Sequence, residues 1–292
     1  MSLDEKPPEE KPQTPTTNSI KSETDPLDAL ENLEILPQIL QEGILFAGSG
    51  TALLLQAALP EIRNEHDNDK ASNGPNLATE LGDALQAMLS YFSCLVFGTR
   101  QEKKTLLEML NRGQPPLRGS EHYYAAAPDV QLWIAATLYA TATDFYQRIY
   151  GRVDYRTAEK AYAEFGLLIH ALGLPSGVWP ETRQKFWKYW DDHIERLTVT
   201  PDANKFAKDL LHDKAVPRWV QMLKPFLRVV TIEMLPPRIR EEYGLKSTMG
   251  TRGLYRSTMG FSNAVYPALP VSMRSYPLRY YLNELRKHLK VV

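Results

Sequence analysis

The stretch "PDVQLWIAATLYATATDFYQRIY", Pro128 to Tyr150, decides the fold. Val130, Trp133, Ile134, Leu138, Phe145 and Ile149 fall along one side of a 3.6-residue repeat, so the spacing predicts a long buried helix. Pro128 is tolerated in a first helical turn, and Asp129 beside it complements the positive end of the helix dipole. The same periodicity recurs on both sides. Leu81, Leu85, Met88, Leu89, Phe92 and Val96 mark one helix face. "TAEKAYAEFGLLIHALGLP" ends at Gly173 and Pro175, as a helix should. "PETRQKFWKYWDDHIERL" aligns Phe186, Trp190, Ile194 and Leu197. Thr200 precedes Pro201 as an N-cap, Pro225 kinks or divides 216–235, and Leu278, Leu282, Leu285 and Leu289 form the apolar side of the last helix. Strand-like alternation is scarce; "LRVVTIEML" alone suggests it, and its neighbours argue for helix. The expectation is an all-α domain over 28–292.

Composition sets the outer bounds. A chain of 292 residues with 43% hydrophobic and 24% charged residues is an ordinary globular protein able to bury a large core. The formal charge of -1 gives no net field for nucleic acid. Tyrosines interleaved with arginines after Arg238 are read as a solvated basic face, so no nucleic-acid partner is expected. The single Cys94, in an apolar run, excludes an internal disulfide and is read as a buried, inert thiol. Residues 1–27, dominated by Pro, Glu, Lys, Thr and Ser, are expected to be a disordered tail, and 64–76 an exposed loop. No signal peptide is apparent, which points to the cytoplasm. "GILFAGSGTALLLQAALP", Gly43 to Pro60, is short for a bilayer span and interrupted by Gly, so it is read as a core helix whose glycines permit close packing. Peripheral contact of this run with a membrane is left open.

Upstream of the long helix, "LEMLNRGQPPLRGSEHYY" passes from an amphipathic start into a Gly/Pro-rich bend. A bend beside a buried helix suits a site, yet Gln114, two prolines and Arg118 supply no nucleophile, base or metal cluster. The six histidines include no pair at helical metal spacing. His122 lies in the loop before Tyr123, and His170 falls near the apolar side of its helix. Both stay on the list because imidazole is the commonest protein ligand to metals and haem. Asp191 and Asp192 point to different sides of a helix and are read as solvated. "KSTMGTRGLYRSTMG" lacks the spacing of a phosphate loop and is read as turns or helix ends.

The order and spacing of "GILFAGSGTALLLQAALP", "LVFGTRQEK", "NRGQPPLRG", "YYAAAPDVQLWIAATLY", "LGLPSGVWPETRQKFWKYWDDHI", "LPPRIREEYGL" and "VYPALPVSMRSYPLRYYLNELRK" resemble the MpaB-type oxygenases, the family that includes the rubber oxygenase catalytic domain. The resemblance spans roughly residues 35 to 290 and looks closest to small fungal-type members. It implies an all-α fold around a b-type haem and oxidative chemistry on a hydrophobic small molecule of terpenoid or polyketide type, in secondary metabolism. Where relatives carry Asn-Arg-x-His-x-x-Val-x-Gly, this chain reads Asn111 to Gly119, with Gln114 at the His position. A second His of some relatives, after Trp-Val, corresponds to Ala135, and an Arg and a Thr fall near Ala84 and Met88. The resemblance thus nominates Gln114, Arg118, His122 and His170 as cofactor-binding candidates, and it sets against the haem reading two others: a haem-free isomerase, cyclase or dehydratase, and a non-catalytic binding protein.

Overall fold

The computed structural model describes residues 26–61, 77–212 and 218–289. Its helices are α1 (Pro26–Glu31), α2 (Leu36–Leu40), a 3₁₀ segment (Gly43–Gly48), α3 (Ser49–Ala57), α4 (Leu77–Phe97), α5 (Arg100–Asn111), α6 (Ser120–Ala125), α7 (Pro128–Tyr150), α8 (Tyr155–Ala171), α9 (Arg183–Arg196), α10 (Pro201–His212), α11 (Arg218–Met234), α12 (Pro237–Glu242), α13 (Met249–Val265), α14 (Val271–Arg274) and α15 (Tyr276–Leu289). No strand occurs among the described residues, and "LRVVTIEML" is helical within α11. The expected loop at 64–76 lies outside the described residues, as does the expected tail apart from Pro26 and Leu27, which open α1.

The long helix α7 is the axis. Trp133, Ala135, Ala136 and Phe145 are fully buried on it, and α3, also buried along its length, packs at its side. Glycine makes that approach close. A Cβ on Gly48 would lie 3.2 Å from the Thr141 carbonyl oxygen, and one on Gly50 would lie 2.3 Å from Thr231 Oγ1 on α11. The run from Gly43 to Pro60 is therefore two helical pieces, 3₁₀ then α, sunk in the core, so it offers a membrane little surface. Among the described residues no helix is long and apolar enough to cross a membrane. Along the far side, α15 lies on α4 with Leu278, Leu282, Leu285 and Leu289 all buried. Burying each such side chain stabilises by about 1.5–3 kcal/mol.

Two expectations need correction. Pro225, expected to kink or divide its segment, does not divide α11. The helix runs through it on the exposed side, where the carbonyl left without a partner by the ring is open to solvent. The second Ser-Thr-Met-Gly copy is not a helix end but mid-α13, where Thr258 Oγ1 bonds back to the Leu254 carbonyl at 2.7 Å; only the first copy sits at a terminus, with Thr248 as N-cap. Three buried carboxylates tie distant segments. Glu164 of α8 accepts from the amides of Glu34, Ile35 and Leu36 at 2.7–3.2 Å and so fixes the start of α2. Glu42 binds Arg274 and Tyr150. Glu102 completes the capping box of α5 and holds Arg286 at 2.7 Å.

Candidate functional site

The Gly/Pro-rich bend is first a helix terminator. Gly113 adopts φ 68°, and its amide donates to the Leu110 carbonyl at 2.9 Å while that of Gln114 donates to Met109 at 3.0 Å. Two carbonyls of the last turn of α5 are capped in this way, which turns the chain back toward α4. Gly119, at φ 82°, makes the return tight, since a Cβ there would lie 2.6 Å from the Ala84 amide nitrogen. Between the two glycines only Leu117 turns inward; Gln114 and Arg118 are exposed.

Behind the bend is a cluster of buried tyrosines. Ala84, Met88 and Tyr91 share one face of α4, at i, i+4 and i+7. Ser120 Oγ donates to the Leu117 carbonyl at 2.6 Å; Tyr91 Oη then donates to Ser120 Oγ at 2.9 Å and accepts from the Leu117 amide at 3.3 Å. Burial pushes the Tyr91 phenol up to about 12. On α6, Tyr123 and Tyr124 meet edge to face at 5.2 Å. Both hydroxyls are buried, and neither has a hydrogen-bond partner. Burial raises both phenols well above the usual tyrosine range, so both stay neutral and each keeps a proton to donate. A buried hydroxyl left unpaired costs about 1–3 kcal/mol.

The aromatic run on α7 connects this cluster to a second one. Trp133, fully buried, donates from Nε1 to the Leu55 carbonyl at 3.3 Å and stacks on Trp190 and His193, each 5.3 Å away. Tyr189 lies 3.9 Å from the His193 ring, and its carbonyl engages His193 Nδ1 at 2.9 Å, but its own hydroxyl is buried and unpartnered. Trp179 Nε1 is the fourth such donor, lying over Gly166 of α8. These groups can orient the carbonyl or hydroxyl oxygen of an otherwise apolar molecule. Cys94 is buried with its thiol pushed up to about 12, as an inert thiol should be. No group of three or more potential metal ligands occurs among the described residues.

Of the four nominated residues, three have described side chains, and all three are exposed. Gln114 and Arg118 face solvent on the bend. His170 is exposed at the end of α8, where Nδ1 meets the Leu174 carbonyl at 3.0 Å; its position on the apolar flank was overridden by its place in the last turn, which projects past the core. His122 belongs to α6 rather than to a loop, and its side chain lies outside the described ones. Sequence reasoning passed over Tyr123, Tyr124, Trp179, Tyr189 and His193. A usable signal was present: Tyr189 and His193 stand at i and i+4 with Trp190 between, and Tyr123-Tyr124 follows the bend directly.

An axial haem ligand must be a good donor inside the protein. At the two positions where relatives carry a histidine, this chain has an exposed amide, Gln114, and a fully buried Ala135. The residues present therefore do not fit a haem in the family's register.

The described residues thus form an all-helical body with hydrogen-bond donors buried in an apolar interior. Residues 36–264 match the family described as "ER-bound oxygenase mpaB/B'/Rubber oxygenase, catalytic domain", and the chain belongs to that family. It is also similar to an uncharacterized protein of Mycobacterium bovis and one of Mycobacterium tuberculosis, each 24% identical over 156 residues, or 52% of this chain. The match spans 61% of the length of these relatives. They are mycobacterial, so they lend nothing to the likeness to fungal-type members. No solved structure matches the chain.

Proposed function

We propose that this chain is an oxygenase-family enzyme acting on a hydrophobic small molecule of terpenoid or polyketide type in secondary-metabolite biosynthesis. The observation that carries the reading is the set of unpartnered buried donors, Tyr123, Tyr124, Trp179 and Tyr189, in an interior otherwise lined by aromatic and aliphatic side chains. Each is a donor looking for an acceptor, and an oxygen on an apolar skeleton supplies one. Family membership supports oxidative chemistry. Haem b is the cofactor that the family implies, and since the register residues do not fit it, no step is derived through it. That misfit favours a second reading, a haem-free isomerase, cyclase or dehydratase that works by holding and polarising one substrate oxygen.

Two titrations of the purified full chain test both. The first follows tryptophan fluorescence with farnesol and with its saturated hydrocarbon analogue. Preference for the alcohol, lost by roughly tenfold in a Tyr123→Phe/Tyr124→Phe variant, supports the donor set. Equal binding of both molecules, or no loss in the variant, refutes it. The second adds haem to wild type and to Gln114→His. A ligated Soret band in the variant alone supports the haem-free reading, whereas one in the wild type overturns it and leaves the oxygenase reading in force.

A further inference from the structure

Three of the five tryptophans stand in file. Trp133, on α7, has no exposed surface. Its ring stacks on Trp190 of α9, with centroids 5.3 Å apart and planes 28° from parallel. Trp190 in turn meets Trp187, one turn back on the same helix, edge to face at 6.3 Å. Trp187 and Trp190 are both part-exposed, so three neighbouring rings lead from the middle of the fold to solvent. Burial alone asks only for apolar volume, which leucine or phenylalanine supplies as well. Indole adds a property that they lack: it gives up an electron with comparative ease, and it can keep its proton while doing so.

The other rings nearby are unsuited to that task. Oxidising a phenol expels its proton, and the neighbouring phenols face no base: Tyr162 donates to the Pro180 carbonyl, and the buried Tyr189 hydroxyl has no partner. Trp179, also buried, is joined to Trp187 through Phe186, by ring contacts of 5.3 and 5.1 Å, and a benzene ring is too hard to oxidise to pass a vacancy on. Within the file the direction is outward. The Trp133 N–H is held on the Leu55 carbonyl at 3.3 Å, and an amide carbonyl is no base, so oxidised Trp133 stays a radical cation. A cation in an apolar interior is costly, which drives the vacancy toward the part-exposed rings. There water takes the proton and holds the vacancy at the surface.

We propose that Trp133, Trp190 and Trp187 form an electron relay that carries oxidising equivalents from the interior to the surface. The oxidant it serves is of the organic alkoxyl class, the radical left when the O–O bond of a substrate hydroperoxide breaks homolytically. That radical takes an electron from Trp133 and a proton from solvent and becomes an alcohol. Trp190 then reduces the Trp133 radical cation, and Trp187 reduces that of Trp190. The Trp187 cation loses its Nε1 proton to water, and a soluble thiol returns a hydrogen atom to it, itself becoming a thiyl radical. Only the source of the alkoxyl radical depends on the oxygenase reading. The route is a property of this chain alone and can be followed without any substrate.

The test uses ultraviolet pulses intense enough to eject an electron from indole, which ionise buried and exposed tryptophans alike. Transient absorption of the full chain follows the indole radical cation and the neutral radical, which absorb at different wavelengths. In wild type the cation signal should pass into the neutral-radical signal. In Trp190→Phe a share of the cation signal should outlive that of wild type, because Trp133 has lost its outlet. A second variant reads the other end. In aerated buffer the ejected electron yields superoxide, which fixes neutral indole radicals as N-formylkynurenine, and peptide mass mapping assigns the product to each tryptophan. Trp187→Phe should raise the product at Trp190, where the vacancy now stops, and leave that at Trp179 unchanged. Melting temperatures show that both variants are folded. Cation decay that is the same in wild type and Trp190→Phe, or an unchanged yield at Trp190 in Trp187→Phe, overturns the proposal and leaves the three rings as packing.

Discussion

Removing an oxygen from Tyr123 should make the ligand-free protein more stable. Tyr→Phe at a buried, hydrogen-bonded tyrosine normally destabilises, because a bond is lost and its partner is stranded. Tyr123 is 1% exposed and its hydroxyl has no partner, so the native state already carries the desolvation cost. Deleting the group recovers about 1–3 kcal/mol less the small void left by one oxygen, a net gain of roughly 0.5–2 kcal/mol, or about 1–8 °C in a domain of this size. Tyr91 is the internal control. It is equally buried, but its hydroxyl bonds both Ser120 and the Leu117 amide, so Tyr91→Phe strands a buried N–H and should lower the melting temperature by about 2–12 °C. The assay is differential scanning fluorimetry of the three proteins, freed of bound lipophiles by solvent extraction of the immobilised chain. The opposite sign of the two shifts is the prediction. If Tyr123→Phe melts lower, as Tyr91→Phe does, the hydroxyl has a partner, and the argument that it waits for a substrate oxygen collapses.

Other predictions concern the frame around the site. Gly50→Ala would place a Cβ 2.3 Å from Thr231 Oγ1, so it should cost about 1–3 kcal/mol despite alanine's better helix propensity, and Thr231→Ala in the same chain should restore most of the loss; simple additivity in a thermal double-mutant cycle would contradict the packing. Glu164→Gln replaces a charged acceptor of three backbone amides and should lower stability by about 1.5–3 kcal/mol in urea unfolding, whereas Glu34→Gln, an exposed neighbour, should do little. Glu102 is held below the ordinary carboxylate range, chiefly by its hydrogen bond to Arg286. A depressed folded pKa gives stability that is present above the unfolded value and lost as pH falls through the folded one. The difference in melting temperature between wild type and Glu102→Gln should therefore be full at neutral pH, begin to shrink as pH falls into the ordinary carboxylate range and be lost only below it; a gap that stays constant through that fall would show that the ion pair is not its source.

How much of this could be read in the sequence depended on range. The spacing along Pro128 to Tyr150 is a local signal, and the helix it predicts is the axis of the fold. Thr200 before Pro201, the four leucines of α15 and the glycines of "GSGT" likewise report contacts that residue type alone constrains. The bend was legible as a bend but not as a surface. Gln114 was weighed as a ligand because of its register, yet its exposure follows from the helix cap that Gly113 forms and from the way Gly119 folds against Ala84, a contact across 35 residues. The exposure of His170 was hidden for a related reason, since burial at a helix end depends on what the neighbouring elements cover. Tyr123 and Tyr124 could be placed beside the bend from sequence, but not their unpaired hydroxyls, because a phenol's partner, or lack of one, is a tertiary fact.

The grip of Glu164 on residues 34–36 also has a consequence in time. Its hydrogen bonds close a loop of 128–130 residues, so they can form only after α8 is in place. Without those bonds the amides of residues 34–36 are released, so a Glu164→Gln variant should exchange them faster than wild type while the amides of α7 keep their protection. A protease that attacks the chain from its amino-terminal side reads out one carboxylate: whether it advances past Leu36 depends on how long Glu164 keeps hold.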